Sequence, residues 1–248
     1  MEEDTTEPFL KKKNDDKAER QKKILKETIT EEINNIMIKG FIKKVYGLLI
    51  FQILLTLGIC IFAHYNKFFQ YLLSFKTLLF LDVIIIIGMV ILLLLKMNWF
   101  MKVPLNYFLL LIFTLAISWI VARESYEYHL KNLIISFSLT IITVVFITIY
   151  TLITKREVEF AKSILIVSSF LVLIAFVLYI FLKTSIFYLI CNVFCLVIFS
   201  IYLIYDTELI LTRSKGILVF ADAYIPAVMI IYIDIVYTFL AFLGFSKN

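Results

Sequence analysis

Seven apolar stretches of about 20 residues follow one another along this chain, and they limit the folds open to it. A helix needs about 20 apolar residues to cross the hydrocarbon core of a bilayer. Glycine and proline are scarce, at 6 and 3 residues, so the stretches are rarely interrupted. They predict an all-α integral membrane protein with seven transmembrane helices. The predicted spans cover residues 43 to 63, 77 to 95, 104 to 122, 133 to 153, 162 to 182, 185 to 207 and 222 to 244.

Composition agrees with this class, and the distribution of charge separates a tail from a membrane domain. Hydrophobic residues make up 62% of the chain and the mean hydropathy is +0.97, whereas soluble domains contain about 45 to 50% apolar residues. Residues 1 to 44 hold 11 of the 24 Lys and Arg and 10 of the 19 Asp and Glu. Such mixed charge lacks the apolar content that offsets the entropy of ordering. We therefore expect a mostly disordered cytosolic tail over residues 1–40 and a seven-span membrane domain over residues 41–248.

Lysine and arginine lie mainly on one side of the predicted spans. With the N-terminus in the cytosol, the cytosolic segments hold 18 of the 24 basic residues and the opposite segments hold 6. Cytosolic loops carry such an excess, so we expect a cytosolic N-terminus and a C-terminus in the lumen or exterior. The same topology accounts for the net charge of +5, which therefore gives no reason to expect a nucleic acid partner.

Three aspartates, Asp82, Asp206 and Asp234, fall within predicted spans. An Asp in the middle of a transmembrane helix costs about 2.5 to 3.5 kcal/mol on insertion scales, so it usually faces the bundle interior, a partner or water. Asp234 lies about ten residues from each end of the last span, and Thr238, one turn on, could donate a hydrogen bond to it. Asp82 lies near the outer end of the second span, where it is a candidate residue for ion access from outside.

Asp206 and Asp234 lie on consecutive spans that run in opposite directions. Their side chains would meet if both helices extended past their predicted ends. Two adjacent carboxyl groups cannot both ionise at low cost, so the pair would share a proton and act as a proton sensor. The same oxygens suit a hard cation such as Ca²⁺, which makes the pair a candidate metal site. The alternative is that each Asp only bonds a neighbouring helix and fixes its packing.

A cation is needed to balance this pair when it is charged. Lys102 precedes the third span and Lys96 ends the second, both on the predicted cytosolic side. Either lysine could act as a latch that closes the cytosolic mouth by pairing with a carboxylate and opens it on protonation. The alternative is that both are ordinary loop charges of the cytosolic face.

Five segments resemble, in order, the Bax inhibitor-1 or lifeguard family of seven-span membrane proteins, and especially its lifeguard branch. The resemblance extends from about residue 40 to the end of the chain, and the last two segments are the most specific. The segments are "FIKKVYGLLIFQILLT" (41 to 56), "KVPLNYFLLLIFT" (102 to 114), "TKREVEFA" (154 to 161), "YLIYDTEL" (202 to 209) and "DAYIPAVMIIYIDIVYTFLAFLG" (222 to 244).

The resemblance implies a protein of the endoplasmic reticulum or Golgi that leaks Ca²⁺ from the lumen in a pH-dependent way and restrains apoptosis. It also implies that Asp206 and Asp234 form the proton sensor, because they occupy the positions of the family's aspartate pair. Lys102 stands where the family usually has an Arg latch, and a lysine offers a point charge in place of a planar fork. We expect the C-terminal helix to be central in the bundle, with its Asp234 paired to Asp206.

Two other functions fit the same pattern. A carboxyl pair inside the membrane also suits a proton-coupled ion transporter. A non-conducting scaffold that binds cell-death regulatory proteins is the second alternative. Membrane lipids, Ca²⁺ and H⁺ are expected partners in each case, with Ca²⁺ as the permeant ion of a channel and no cofactor.

The sequence does not favour an enzyme or a receptor. The two histidines, His64 and His129, lie at outer loop ends, and the chain contains no HExxH or GxSxG motif. Short loops without an outer cysteine pair argue against a seven-span receptor. The cysteines Cys60, Cys191 and Cys195 all lie in apolar segments, where they behave as small hydrophobic residues and imply neither a disulfide framework nor a metal site.

Overall fold

The computed structural model describes residues 7–154, 185–216 and 224–245. These residues form seven α-helices and one short 3₁₀ helix, and no strand occurs among them. The elements are α1 (Glu7–Tyr65), α2 (Lys67–Ser74), α3 (Lys76–Leu95), a 3₁₀ helix (Met97–Met101), α4 (Leu105–Ser125), α5 (Leu130–Thr154), α6 (Ser185–Gly216) and α7 (Tyr224–Gly244).

Six of the described helices are long and apolar enough to cross a membrane, which supports an integral membrane protein. They match six of the seven predicted spans, and the remaining prediction, residues 162 to 182, lies outside the described residues. The count of seven therefore stays a prediction. The six candidate spans are Lys39–Tyr65, Lys76–Leu95, Leu105–Ser125, Leu130–Thr151, Ile186–Ile210 and Tyr224–Gly244.

The C-terminal helix α7 is the centre of the described bundle. Its span is 67% buried, whereas the α3 span is 6% buried. Helices α1, α4, α5 and α6 all pack against α7. A helix that is apolar on every side suits this position, because it presents no face that requires water. The expectation of a central C-terminal helix therefore holds for the described residues.

Helix α1 begins at Glu7 and continues without a break into the first span. This differs from the prediction of a mostly disordered tail over residues 1–40. Low apolar content argues against a packed fold but not against a helix, and Lys and Glu, which dominate this segment, both have high helix propensity.

The short helix α2, which joins the first two spans, was not predicted from the sequence. Asn66 caps its first turn, because its Oδ1 accepts a hydrogen bond from the Phe69 amide at 3.1 Å. Gln70 Nε2 donates to the main-chain carbonyls of Ala63 and His64 at 2.9 and 2.8 Å, so it satisfies the exposed carbonyl end of α1. The guanidinium of Arg123, at the end of α4, donates to carbonyl oxygens at the other end of α2.

Helices α6 and α7 pack closely over the second half of α7. The rings of Phe199 and Tyr237 stack with 4.4 Å between their centroids. Near the end of α7, Gly244 lies against Asn192, and a Cβ at this glycine would lie 2.6 Å from the Asn192 amide nitrogen. A side chain at Gly244 would therefore require the Asn192 amide group to move.

We expect Gly244→Ala to lower the stability of the protein in detergent by about 0.5 to 1.5 kcal/mol, since the added methyl group forces the Asn192 side chain out of its present rotamer. Gly58→Ala is the matched control, because a Cβ at Gly58 has no neighbour within 4 Å. Thermal unfolding followed by circular dichroism measures both. Equal stability of the two variants would contradict the close contact.

Candidate functional site

The antiparallel packing of α6 and α7 brings the side chains of Asp206 and Asp234 into hydrogen-bond contact. Asp206 lies ten residues before the end of α6 at Gly216, and Asp234 lies ten residues after the start of α7 at Tyr224. Ten helical residues correspond to about 15 Å, so the two carboxyl groups lie at equal depth. The pairing follows because α6 continues nine residues beyond the predicted end of its span.

The environment of the pair is apolar and largely closed to solvent. Asp234 is 5% exposed and Asp206 is half-buried. An ionised carboxylate can only accept hydrogen bonds, so a bond between two carboxyl groups requires a proton on at least one of them.

One oxygen of Asp234, Oδ2, is buried and has no hydrogen-bond donor among the described residues. Thr238 does not supply one, because its hydroxyl donates to the main-chain carbonyl of Asp234 at 2.8 Å and not to the carboxyl group. A buried acceptor of this kind can take a proton donor or a cation.

A third carboxyl group, that of Glu208, is also buried. It was not predicted as a site residue. Glu208 is 8% exposed and lies two residues after Asp206, which places it on a different face of α6. The apolar residues around "YDTEL" were the available signal. The prediction missed Glu208 because it ended the sixth span at residue 207.

The predicted latch lysines do not contact the carboxyl pair in this conformation. Lys96 and Lys102 are both exposed, in the connection between α3 and α4. Among the described residues, Asp206 is the one group that acts electrostatically on Asp234, and no lysine does so. The latch role of both lysines stays a prediction.

A different lysine, on α1, lies beside the first residue of the central helix α7. Lys44 Nζ is 5.1 Å from the centroid of the Tyr224 ring. Asn106 Nδ2 donates to the Tyr224 hydroxyl at 3.1 Å, and that hydroxyl donates to Tyr107 Oη at 3.1 Å. We call these four residues the Tyr224 cluster. The cluster lies at the first residue of α7, about 15 Å along the helix from the carboxyl pair.

On the opposite side of α7, a layer of neutral polar side chains joins the central helix to α1 and α4. Gln52 Nε2 donates to Thr114 Oγ1 at 2.7 Å. One turn further along both helices, Thr56 Oγ1 bonds Ser118 Oγ at 2.8 Å and the Tyr232 hydroxyl at 2.7 Å. We call these five residues the hydroxyl layer. Such polar contacts stabilise helix association inside a membrane.

Asp82, the predicted residue for outer ion access, is remote from these groups. It is half-buried on α3, which packs chiefly on α4 and on the short elements at its own ends. One of its oxygens, Oδ2, is buried and has no hydrogen-bond partner within the described part of the chain. The structure does not bring Asp82 to the carboxyl pair, and its proposed role stays a prediction.

The described residues contain no group of three or more His, Cys, Asp or Glu side chains that could hold a metal ion. Ca²⁺ prefers six to eight oxygen ligands, and Asp206 and Asp234 supply at most four. A Ca²⁺ ion at the pair would therefore need water for the rest of its coordination shell.

These features define a class: a helical membrane protein whose most buried helix carries a carboxyl group that pairs with one on the next helix. The protein family described as "Inhibitor of apoptosis-promoting Bax1" matches residues 38–247. The match covers most of the chain, and the protein belongs to this family.

Curated relatives come from viruses and from a plant. The chain is 31% identical to Protein LIFEGUARD 3 of Arabidopsis thaliana over 208 residues, which cover 81% of each protein. It is 29% identical to Protein LIFEGUARD 4 of the same plant over 216 residues, with 82% of this chain and 83% of the relative covered. It is 28% identical to the Golgi anti-apoptotic protein of Vaccinia virus (strain Lister) over 202 residues, with 81% and 82% covered. The resemblance to the lifeguard branch is thus confirmed.

The hydroxyl layer yields a stability prediction. Thr56→Val keeps the volume of the side chain and removes two contacts between helices, so we expect a loss of about 1 kcal/mol, the scale of such bonds in membrane proteins. Thr143→Val is the control, because Thr143 bonds only the Leu139 carbonyl of its own helix. Thermal unfolding in detergent measures the difference. Equal effects would show that the layer does not join the helices.

Proposed function

We propose that this protein is a pH-sensitive calcium leak channel of the endoplasmic reticulum or Golgi that restrains apoptosis. The proposal rests chiefly on the contact between Asp206 on α6 and Asp234 on the central helix α7. It needs neither an enzyme active site nor a cofactor, and Ca²⁺ serves as the permeant ion.

The carboxyl pair supports exchange between a proton and a cation. The pair is stable in apolar surroundings while a proton bridges it, because two adjacent carboxylates would repel each other in a medium that screens charge poorly. When the proton leaves, a cation takes over the role of balancing the charge. Asp234 Oδ2, which has no partner among the described residues, is an oxygen already available to that cation.

The small number of acidic ligands favours passage over storage. A resident Ca²⁺ site normally surrounds the ion with six to eight oxygens. The pair supplies fewer, so an ion there keeps part of its water and leaves easily. Conduction requires this compromise, because a site must bind well enough to admit an ion and weakly enough to release it.

We propose that the Tyr224 cluster forms the gate at the cytosolic mouth, with the N-terminus in the cytosol and the C-terminus in the lumen. An ion that leaves the pair toward the start of α7 would meet the Tyr224 ring and the positive charge of Lys44. That charge opposes the passage of a cation while the cluster is closed. Lys102 and Lys96 are the second pair of candidate latches, for a conformation in which the α3–α4 connection moves inward.

The restraint of apoptosis and the compartment are carried over from the family. The family description names an inhibitor of apoptosis-promoting Bax1, and the viral relative is named a Golgi anti-apoptotic protein. A slow leak lowers the Ca²⁺ content of the lumen, which offers a physical link between the pore and cell death. Direct binding of cell-death regulators is the alternative route.

The carboxyl pair can be tested by Ca²⁺ flux from loaded liposomes that contain the full-length protein. Asp→Asn at both positions imitates a pair that is permanently neutral. We expect the Asp206→Asn/Asp234→Asn double variant to show a flux independent of pH and close to the flux that the unmodified protein has at acid pH. Each single variant should weaken the pH dependence.

Glu124→Gln is the control for this assay, because it removes an exposed carboxyl group outside the pair. Asp82→Asn tests outer ion access separately and should change the flux without abolishing its pH dependence. A pH dependence that survives in the double variant would contradict the sensor. Saturable counter-flux of protons would favour the transporter, and absence of any flux from the intact protein would favour the scaffold.

The gate can be tested with Tyr224→Phe, which keeps the ring under Lys44 and removes the hydroxyl that joins Asn106 and Tyr107. Loss of these bonds weakens the closed state by about 1 kcal/mol, so the open population and the Ca²⁺ flux at fixed pH should rise about fivefold. Tyr71→Phe, on the exposed side of α2, is the control. An unchanged flux in Tyr224→Phe would exclude the cluster as a gate.

A further inference from the structure

A deep apolar groove opens sideways between α1 and α5. Its cavity volume is about 730 Å³, which lies within the range of about 300 to 1,000 Å³ for ligand pockets. The rim carries exposed side chains such as Leu54 on α1 and Val145 on α5, which are 61% and 52% exposed. The floor is the central helix, where Ile231 and Ile235 are buried.

The groove lies within the membrane-spanning parts of both helices. It extends along α1 from Tyr46 to Ile61, which corresponds to about 22 Å of helix. Half of the hydrocarbon core is about 15 Å thick, so the groove is long enough for a whole acyl chain. A hydrogen bond of 3.5 Å from the Tyr46 hydroxyl to Thr148 Oγ1 bridges the two helices at one end.

The medium around the groove limits what can occupy it. An empty apolar cavity loses dispersion contacts on all of its walls. The acyl chains of the surrounding lipid can enter through its open side, and this costs no dehydration because the chains are already outside water. The lining is almost wholly apolar, so the buried part of the occupant must be apolar too. A hydrocarbon chain meets both conditions.

A positive charge lies one turn beyond the groove on the same face of α1. Lys43, Tyr46, Ile50 and Leu54 follow one another at spacings of three, four and four residues, which keeps them on one side of the helix. Lys43 is exposed and lies four residues after the start of the candidate span Lys39–Tyr65, near the membrane boundary where the phosphate of a lipid lies. Charge complementarity therefore selects an occupant with an apolar chain and an anionic head.

We propose that the groove between α1 and α5 is a binding site for a glycerophospholipid, with an acyl chain along the floor of α7 and the phosphate at Lys43. The lipid would contact residues adjacent to the carboxyl pair, because Thr207 and Ile235 line the groove beside Asp206 and Asp234. This assignment is independent of ion conduction and holds for a channel, a transporter or a scaffold.

The site can be tested with full-length protein reconstituted in phosphatidylcholine vesicles that contain a small share of phosphatidylglycerol with a diazirine in its acyl chain. After illumination, peptide mass spectrometry locates the labelled residues. We expect label concentrated on the groove faces of α1, α5 and α7, severalfold above the exposed face of α3. Uniform label over all lipid-facing helices would overturn the proposal.

Val145→Trp should fill the rim and reduce the groove label severalfold. Ile87→Trp is the matched control, because Ile87 is also 52% exposed but lies on α3, away from the groove. Leu54→Trp repeats the test from the opposite rim should Val145→Trp fail to fold, as judged by size-exclusion chromatography and circular dichroism. Equal loss of label in the control and the rim variants would exclude a specific site.

The headgroup contact is tested by Lys43→Gln, which should reduce the groove label, with Lys76→Gln at the start of α3 as the control. A photoreactive side chain placed at Val145 identifies the occupant directly. Cross-linking to lipid is the expected result. Cross-linking to residues 155 to 184 or to a second copy of the chain would show that protein fills the groove, and would overturn the proposal.

Discussion

The cost of placing a carboxyl group in lipid is the constraint around which this bundle is arranged. An isolated charge at the depth of Asp234 would be expensive, and the neighbouring carboxyl group of Asp206 offers a partner with which a proton could be shared. The contact requires α6 and α7 to be antiparallel neighbours with their carboxyl groups at equal depth. Helix α7 must also be enclosed on its other sides, which explains why it is the most buried of the described spans.

The central helix presents different chemistry on two of its faces. Asp234 points to α6, while Tyr232, two residues earlier, joins the neutral hydroxyl layer between α1 and α4. One face can change its charge and the other cannot. The apolar groove adjoins both, so the same helix meets protons, neutral hydrogen bonds and a lipid-facing cavity within about three turns.

Spans and buried acids could be predicted because each depends on local sequence. Apolar length identifies six of the described spans, and an Asp surrounded by Ile, Tyr and Val stands out whatever the helix packs against. The pairing of Asp206 and Asp234 followed from the alternating direction of consecutive spans. Predicting that the two carboxyl groups lie at equal depth would have required only the true end of α6. The misplaced end of this span also explains why Glu208 was not predicted.

The remaining contacts depend on which helices are neighbours, which one sequence does not specify. Thr and Ser are common in spans, so Thr56 and Ser118 carried no signal until α1 and α4 were placed side by side. The Tyr224 cluster likewise joins residues from three helices, and in the sequence Lys44 does not differ from the other lysines that flank the predicted spans. The helix in the tail was not predicted, because low hydrophobicity argues against a packed core. Helix propensity, however, requires no core.

The hydroxyl layer has a consequence for how acidity can act on this molecule. Its bonds contain no group that titrates near neutral pH, so α1, α4 and α7 remain one unit whatever the proton concentration. Of the contacts that α7 makes with described residues, the one between the carboxyl groups is the contact that the proposed function assigns to protons. Under that proposal, a change in acidity would act at a single seam of the bundle, between α6 and the unit formed by α1, α4 and α7.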